Sequence, residues 1–337
     1  MTDRRTVLLL PGQGAQREGM GVELYGRHPA FTACTDGLFR SLDSEGARLA
    51  VEWQRAAPNP ALDDVGVAQA LLLIVGYALG TAVRGLAGGP DVLLGHSAGE
   101  LAAACLAGVF PPEDLVRLLA ARSRTLHPDG RGGMLAVAAA PDELPEPFEP
   151  GVALAAVNGP RHCVLAGPEP ALRRTASSLL AADFSFRRLR SSHAFHSPVM
   201  RHTAAQFRRE LGALRLNAPH STLISSRTAA PVSPSQAADP SFWADQLMLP
   251  VLFWPALKSL LDEQGHRPGL VLLDGSSDRS LTAAARRHPA VRNGRSLVVP
   301  LLAPTQPDAR GADLSAWTAA AELLAGGDPS VRHTAQA

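Results

Sequence analysis

Short continuous apolar runs, closed by proline or glycine, alternate along the chain with longer stretches of helical rhythm. Residues 6–10 form one such run, ended by Pro11 and Gly12; residues 92–94 form a second, ended by Gly95. Runs of this length between breakers predict buried strands. The small residues of 100–107 that follow predict a helix lying close on a sheet. Strand, tight turn and helix in that order make the repeating unit of a parallel α/β sheet. The longest apolar stretch, 68–83, is short for a membrane span and is interrupted by Gly76 and Gly80. It predicts a buried helix and no membrane partner.

Between Met134 and Arg190 the rhythm changes. Strands are predicted at 134–139, 152–157, 162–166 and 184–189, with a proline-interrupted helix at 142–148 and a firmer one at 169–182. That β-α-β-β-α-β order is the ferredoxin-like pattern, inserted into a larger α/β domain. Beyond it come a helix at 198–214, an extended segment from 221 and a Pro/Ser/Ala-rich loop at 229–240. Segments 242–249, 254–263, 270–273, 297–302 and 314–324 resume α/β alternation, and the chain from Gly326 reads as a frayed tail.

Composition adds mostly exclusions. At 337 residues, 46% hydrophobic and 19% charged, the chain suits a globular protein with a large core. A net charge of +1, with scattered arginines and Lys258 as the lone lysine, gives no basic stripe for nucleic acid. Cys34, Cys105 and Cys163 are odd in number and lack ligand spacing, so neither a disulfide framework nor a metal site is expected, and a cytoplasmic setting is. The apolar run after Arg4 and Arg5 is too short for a signal peptide.

The chemistry starts at Gly95-His96-Ser97-Ala98-Gly99. A serine between glycines, straight after a strand and before a helix, sits on a turn that lifts its hydroxyl above the sheet. The helix N-terminus adds partial positive charge where an oxyanion would form. The turn alone implies acyl-ester chemistry. A second glycine turn, Gly12-Gln13-Gly14-Ala15-Gln16, is a poor dinucleotide fingerprint and better suited to supplying a second oxyanion donor. Downstream, Pro111-Pro112-Glu113-Asp114 opens a helix whose stripe is Leu115, Leu118, Leu119 and Leu126. Arg122 lies on that stripe. Either its stem packs while its head meets a structural carboxylate, or it clamps a substrate carboxylate; spacing leaves both open. His193 and His196 share a loop at the exit of the insertion, where a base would reach the serine.

Taken together, Pro11 to Gln16, Gln69, Gly95 to Glu100, Arg122, Gly133 to Val137, Ala156 to Pro160, His193 to Ser197 and Gln246-Leu247 resemble the malonyl-CoA:acyl carrier protein transacylase family. The likeness is to polyketide synthase acyltransferase domains and runs from about residue 8 to 302. It implies an α/β-hydrolase-like large subdomain with a parallel sheet, residues 1–132 and 191–325. The ferredoxin-like small subdomain would be 133–190 and the tail 326–337. It implies Ser97 as nucleophile and His196 as its base, the imidazole being oriented by the backbone carbonyl of Gln246. Gln13 and Ala98 would donate their amides to the oxyanion, and Arg122 would hold a malonyl carboxylate. Gln69, His193 and Phe195 would shape the substrate pocket, with Phe195 disfavouring a branched unit. The implied donor is malonyl-CoA or a related acyl-CoA. The implied acceptor is the phosphopantetheine thiol of a transiently bound acyl carrier protein. No bound cofactor is expected, and a monomer is.

Three positions depart from the family pattern: Ala98 where a larger residue is common, Ala70 after Gln69 where proline is common, and Leu273-Asp274-Gly275-Ser276 in place of a glutamate, glycine and proline. Rival readings on the same scaffold are a hydrolase that clears acyl groups from stalled acyl-loaded carrier proteins and transfer of another acyl unit between carrier proteins. A docking module would have no use for Ser97, His196 and Arg122 together. With Met1 a few residues before the first strand, the expectation is a discrete enzyme serving a synthase in trans. Arg173, Arg174, Arg187, Arg188 and Arg190 are candidates for meeting an acidic carrier surface.

Overall fold

The computed structural model describes residues 4–87, 89–304 and 311–326. Among the described residues, ten strands divide between two sheets. The larger holds β1 (Arg5–Leu10), β2 (Val92–Gly95), β7 (Thr222–Ser225), β8 (Ala230–Pro231), β9 (Leu270–Asp274) and β10 (Ser296–Pro300). Its order is β10-β9-β1-β2-β7-β8, parallel except at β8. The smaller holds β3 (Gly133–Val137), β4 (Ala153–Gly159), β5 (His162–Gly167) and β6 (Phe186–Arg188), antiparallel in the order β4-β5-β3-β6. Strands one to four of the insertion thus lie 2-3-1-4, the ferredoxin-like order. The predicted first helix of that unit is absent. Residues 141–143 make one 3-10 turn, because Pro145 and Pro147 lack the amide a helix would need next. The second helix forms at Glu169–Ala181.

Two helices, α1 (Pro29–Ser41) and α2 (Asp43–Gln54), fill a stretch where the pattern suggests none. His28 opens α1 by accepting the amide of Phe31, and Trp53 anchors α2 among Tyr25, Phe31 and Phe39. α3 (Val65–Ala87) is long and apolar enough to cross a membrane, yet it is buried against α1, α4 (Ala98–Leu106) and α5 (Pro112–Ala120). Gly80 explains the close fit, since a Cβ there would come within 2.3 Å of Leu106 Cδ1. The loop expected at 229–240 contains β8 and a short helix, Pro234–Ala237, whose cap is Ser233. The tail beyond Gly326 lies outside the described residues.

Entry into and exit from the smaller sheet run side by side. Gly132 donates to Ser192 O, Ala194 donates to Gly130 O, and Arg131 bridges His193. β4 meets the larger domain through Val157 N to Val251 O and Val251 N to Ala155 O. Residues of the smaller sheet (Met134, Ala156, Val164) and of the turns at the carboxyl ends of β1 and β2 (Gln13, His96, Ser97) line one cleft.

Candidate active site

β1 and β2 pair in register, Leu10 opposite Gly95, so the turns that follow them stand next to each other. His96 N donates to Leu10 O at 2.9 Å and extends the ladder one step. The chain then reverses at Ser97, whose φ of 51° is a strained value for a residue with a Cβ. Backbone crowding explains the flanking glycines. A Cβ on Gly99 would lie 2.4 Å from Leu10 O, and one on Gly12 would lie 2.6 Å from His96 O and 3.1 Å from Ser97 Cβ. The turn after β1 is thereby pressed onto the serine. The Ala98 amide, at the first position of α4, has no carbonyl behind it to bond.

Ser97 Oγ lies 2.8 Å from His196 Nε2. The imidazole is buried, and its Nδ1 donates to the carbonyl of Gln246 at 2.7 Å, with Leu249 O at 3.2 Å. A backbone carbonyl acceptor fixes the tautomer with the Nε2 lone pair toward the serine. Since that carbonyl bears no full charge, burial dominates and lowers the His196 pKa to about 4, with the Gln246 bond opposing and His96 adding to the drop. The ring is neutral at pH 7, as a base must be. Its backbone is in the left-handed region, φ 62°, and its amide donates to Leu247 O at 2.7 Å.

The hydrogen-bonded Ser97–His196 pair opens on a cavity of about 470 Å³. Arg122 lines it and is 2% exposed. The helix predicted to carry Arg122 on its leucine stripe in fact ends at Ala120. Ala121 breaks it, and Arg122 starts a separate turn, α6 (Arg122–Thr125). The guanidinium lies over Phe207, whose ring centre is 4.1 Å from Cζ, and among the described residues its buried Nη2 has no hydrogen-bond partner. Burial lowers the pKa to about 10, with Glu210 opposing, so the group keeps its charge at neutral pH. An unpaired buried cation is costly to a fold, and an anion in the cavity would relieve it.

Gln13, Gln69, Ala98, Phe195 and Gln246 line the same cavity, and Gln69 Nε2 donates to Gln13 Oε1 at 3.1 Å. His193 does not join them. It faces a separate pocket with Asp63, Asp64 and Ser123, while Phe195 turns inward and is buried. Asn158 and Glu100 carry no role in the sequence pattern beyond their places in motifs. Asn158 Oδ1 lies 2.8 Å from His96 Nε2, and Glu100 is buried behind the dyad. Among the described residues, one group offers metal-ligand chemistry: His127, Asp129 and His202. All three are exposed, and none lines the cavity.

Residues 7–318 match the family model described as an acyl transferase domain. The chain belongs to that family. This acyl transferase chain is 35% identical over 292 residues to a phenolphthiocerol/phthiocerol polyketide synthase of Mycobacterium tuberculosis, covering 86% of the chain and 19% of the relative. It is 36% identical over 271 residues to polyketide synthase GfsB of Streptomyces halstedii, covering 76% and 5%. It thus spans a fifth or less of the length of these curated relatives. Among solved structures, it resembles the acyltransferase domain from the second module of the salinomycin polyketide synthase, with TM-score 0.83, 34% identity and coverage of 97% of this chain and 75% of that one. The malonyl-CoA:acyl carrier protein transacylase of Helicobacter pylori shares the fold, with TM-score 0.79, 21% identity and coverage of 96% and 99%.

Proposed function

We propose that this acyl transferase moves a malonyl-type unit from coenzyme A to the phosphopantetheine thiol of an acyl carrier protein, through an ester on Ser97, in polyketide assembly. The observation that carries the reading is the buried guanidinium of Arg122, whose Nη2 has no hydrogen-bond partner among the described residues, in the cavity that holds the Ser97–His196 pair. An acyl group bearing a free carboxylate brings both the electrophile and the anion this cavity lacks.

In the first half-reaction His196 Nε2 takes the Ser97 proton as Oγ attacks the thioester carbon. The amides of Gln13 and Ala98 receive the oxyanion. The C–S bond then breaks, and coenzyme A leaves with the proton held on Nε2. In the second, the carrier thiol gives its proton to His196 and attacks the ester, Ser97 Oγ leaving as the proton returns to it. Arg122 keeps the carboxylate in register through both.

The second half-reaction separates this reading from a hydrolase on the same scaffold. Malonyl-loaded protein mixed with a holo carrier protein should pass its acyl mass to the carrier faster than to water. Equal loss with and without carrier would favour the hydrolase.

A further inference from the structure

Glu100 stands three residues after Ser97, in the first turn of α4, and is 1% exposed. Its Oε2 accepts from donors outside that helix: Ser226 N at 3.0 Å, Ser226 Oγ at 2.5 Å and Gln246 Nε2 at 3.1 Å. Burial pushes its carboxyl above the usual carboxylate range, opposed by these donors and by Ser225. A position chosen for packing alone would hold an apolar side chain, because a buried carboxyl is costly even when bonded.

Gln246 is consequently gripped at both ends. Its amide group is held by the nucleophile's own helix, and its backbone carbonyl holds the base. The circuit from Ser97 along α4 to Glu100, across to Gln246, on to His196 and back to Ser97 Oγ is closed by bonds of 3.1, 2.7 and 2.8 Å. We infer that Glu100 is a positioning residue for acyl-enzyme formation: it fixes Gln246, and through that carbonyl the imidazole of His196, relative to Ser97. Without the carboxyl, the donors of Ser226 and Gln246 are left buried with no acceptor, and the segment carrying the carbonyl moves to resatisfy them. A misplacement of about 1 Å costs on the order of 100-fold in rate.

The inference rests on Ser97 being the activated nucleophile, so its test must work without any particular acyl donor. A fluorophosphonate probe, which labels activated serines, meets that need. The saturating labelling rate and the half-saturating probe concentration would be measured for the wild type, Glu100→Leu, Glu100→Gln, Gln246→Leu and the Leu/Leu double variant. The wild type should label at Ser97. Glu100→Leu, outside the cavity lining, should lose about 10–100-fold in saturating rate with half-saturation unchanged, and Gln246→Leu should lose saturating rate to a similar extent. Glu100→Gln, which keeps an acceptor, should fall in between, and the double variant should be no slower than the slower single. If Glu100→Leu does not fold, Gln246→Leu still decides, since it removes the tether and leaves the carbonyl. A wild-type rate for Gln246→Leu, or losses that multiply in the double variant, would overturn the inference. No labelling of the wild type would instead overturn the nucleophile reading beneath it.

Discussion

Arg122 and His196 are both buried ionisable groups, and burial acts on them in ways that can be measured. For Arg122 the cation is retained beside Phe207, its buried Nη2 without a hydrogen bond among the described residues. Replacing it by Met removes a desolvated charge and should raise stability by about 1–4 kcal/mol in chemical denaturation. Replacing it by Ala should slow malonyl loading by at least about 30-fold and spare acetyl loading, the loss of a buried charge pair being worth about 2 kcal/mol or more. Equal losses for both acyl groups would make the arginine merely structural. For His196 the folded pKa of about 4 lies below the ordinary 6.5. The unfolded chain therefore binds a proton between those values that the folded chain refuses. The stability this residue contributes is full above pH 6.5 and is lost as pH falls through 4. Loading of Ser97 should accordingly hold its rate down to about pH 5, and a pH–rate profile with its midpoint at 6.5 would contradict the burial argument.

At the scale of elements, the parts legible in the sequence were those whose signal is local. The strand, glycine turn and helix around Ser97 follow from a short apolar run and a serine that glycines must flank, and the close backbone contacts of Gly95 and Gly99 supply the physical reason. The spacing of Arg122 on the leucine stripe pointed it inward, but through one continuous helix. The break at Ala121, a residue with no helix-breaking chemistry, was not readable. His193 and His196 share one loop and one residue type. What parts them is that His193 lies beside Arg131 while His196 adopts a positive φ, and both depend on tertiary contacts. The Gln246 carbonyl is a backbone atom, so no side-chain pattern marks it; resemblance alone proposed that position. Helices α1 and α2 escaped because polar or small residues interrupt their buried faces: α1 buries Thr35 among Phe31, Leu38 and Phe39, and α2 buries Gly46 with Leu49 and Trp53.

Across the whole molecule, the smaller sheet forms one wall of the cleft and brings Arg187 and Arg190 to its lining. Of the five arginines considered for an acidic carrier, Arg173 and Arg188 pair with Glu169, and Arg174 pairs with Glu149. Among the described residues, Arg187 and Arg190 have no ion-pair partner, and both are exposed. Charge reversal at Arg187 and Arg190 should slow transfer to an acidic carrier by about 10-fold or more and flatten its dependence on ionic strength. Reversal at Arg173 should change little. The same effect from both would place the carrier elsewhere.

The proposed transfer turns on whether Ser97 carries the acyl group. Intact mass after incubation with malonyl-CoA tests it most directly. The wild type should carry a single malonyl adduct that is absent from Ser97→Ala; no adduct from any acyl-CoA, or one that survives in Ser97→Ala, would rule Ser97 out as the acyl carrier.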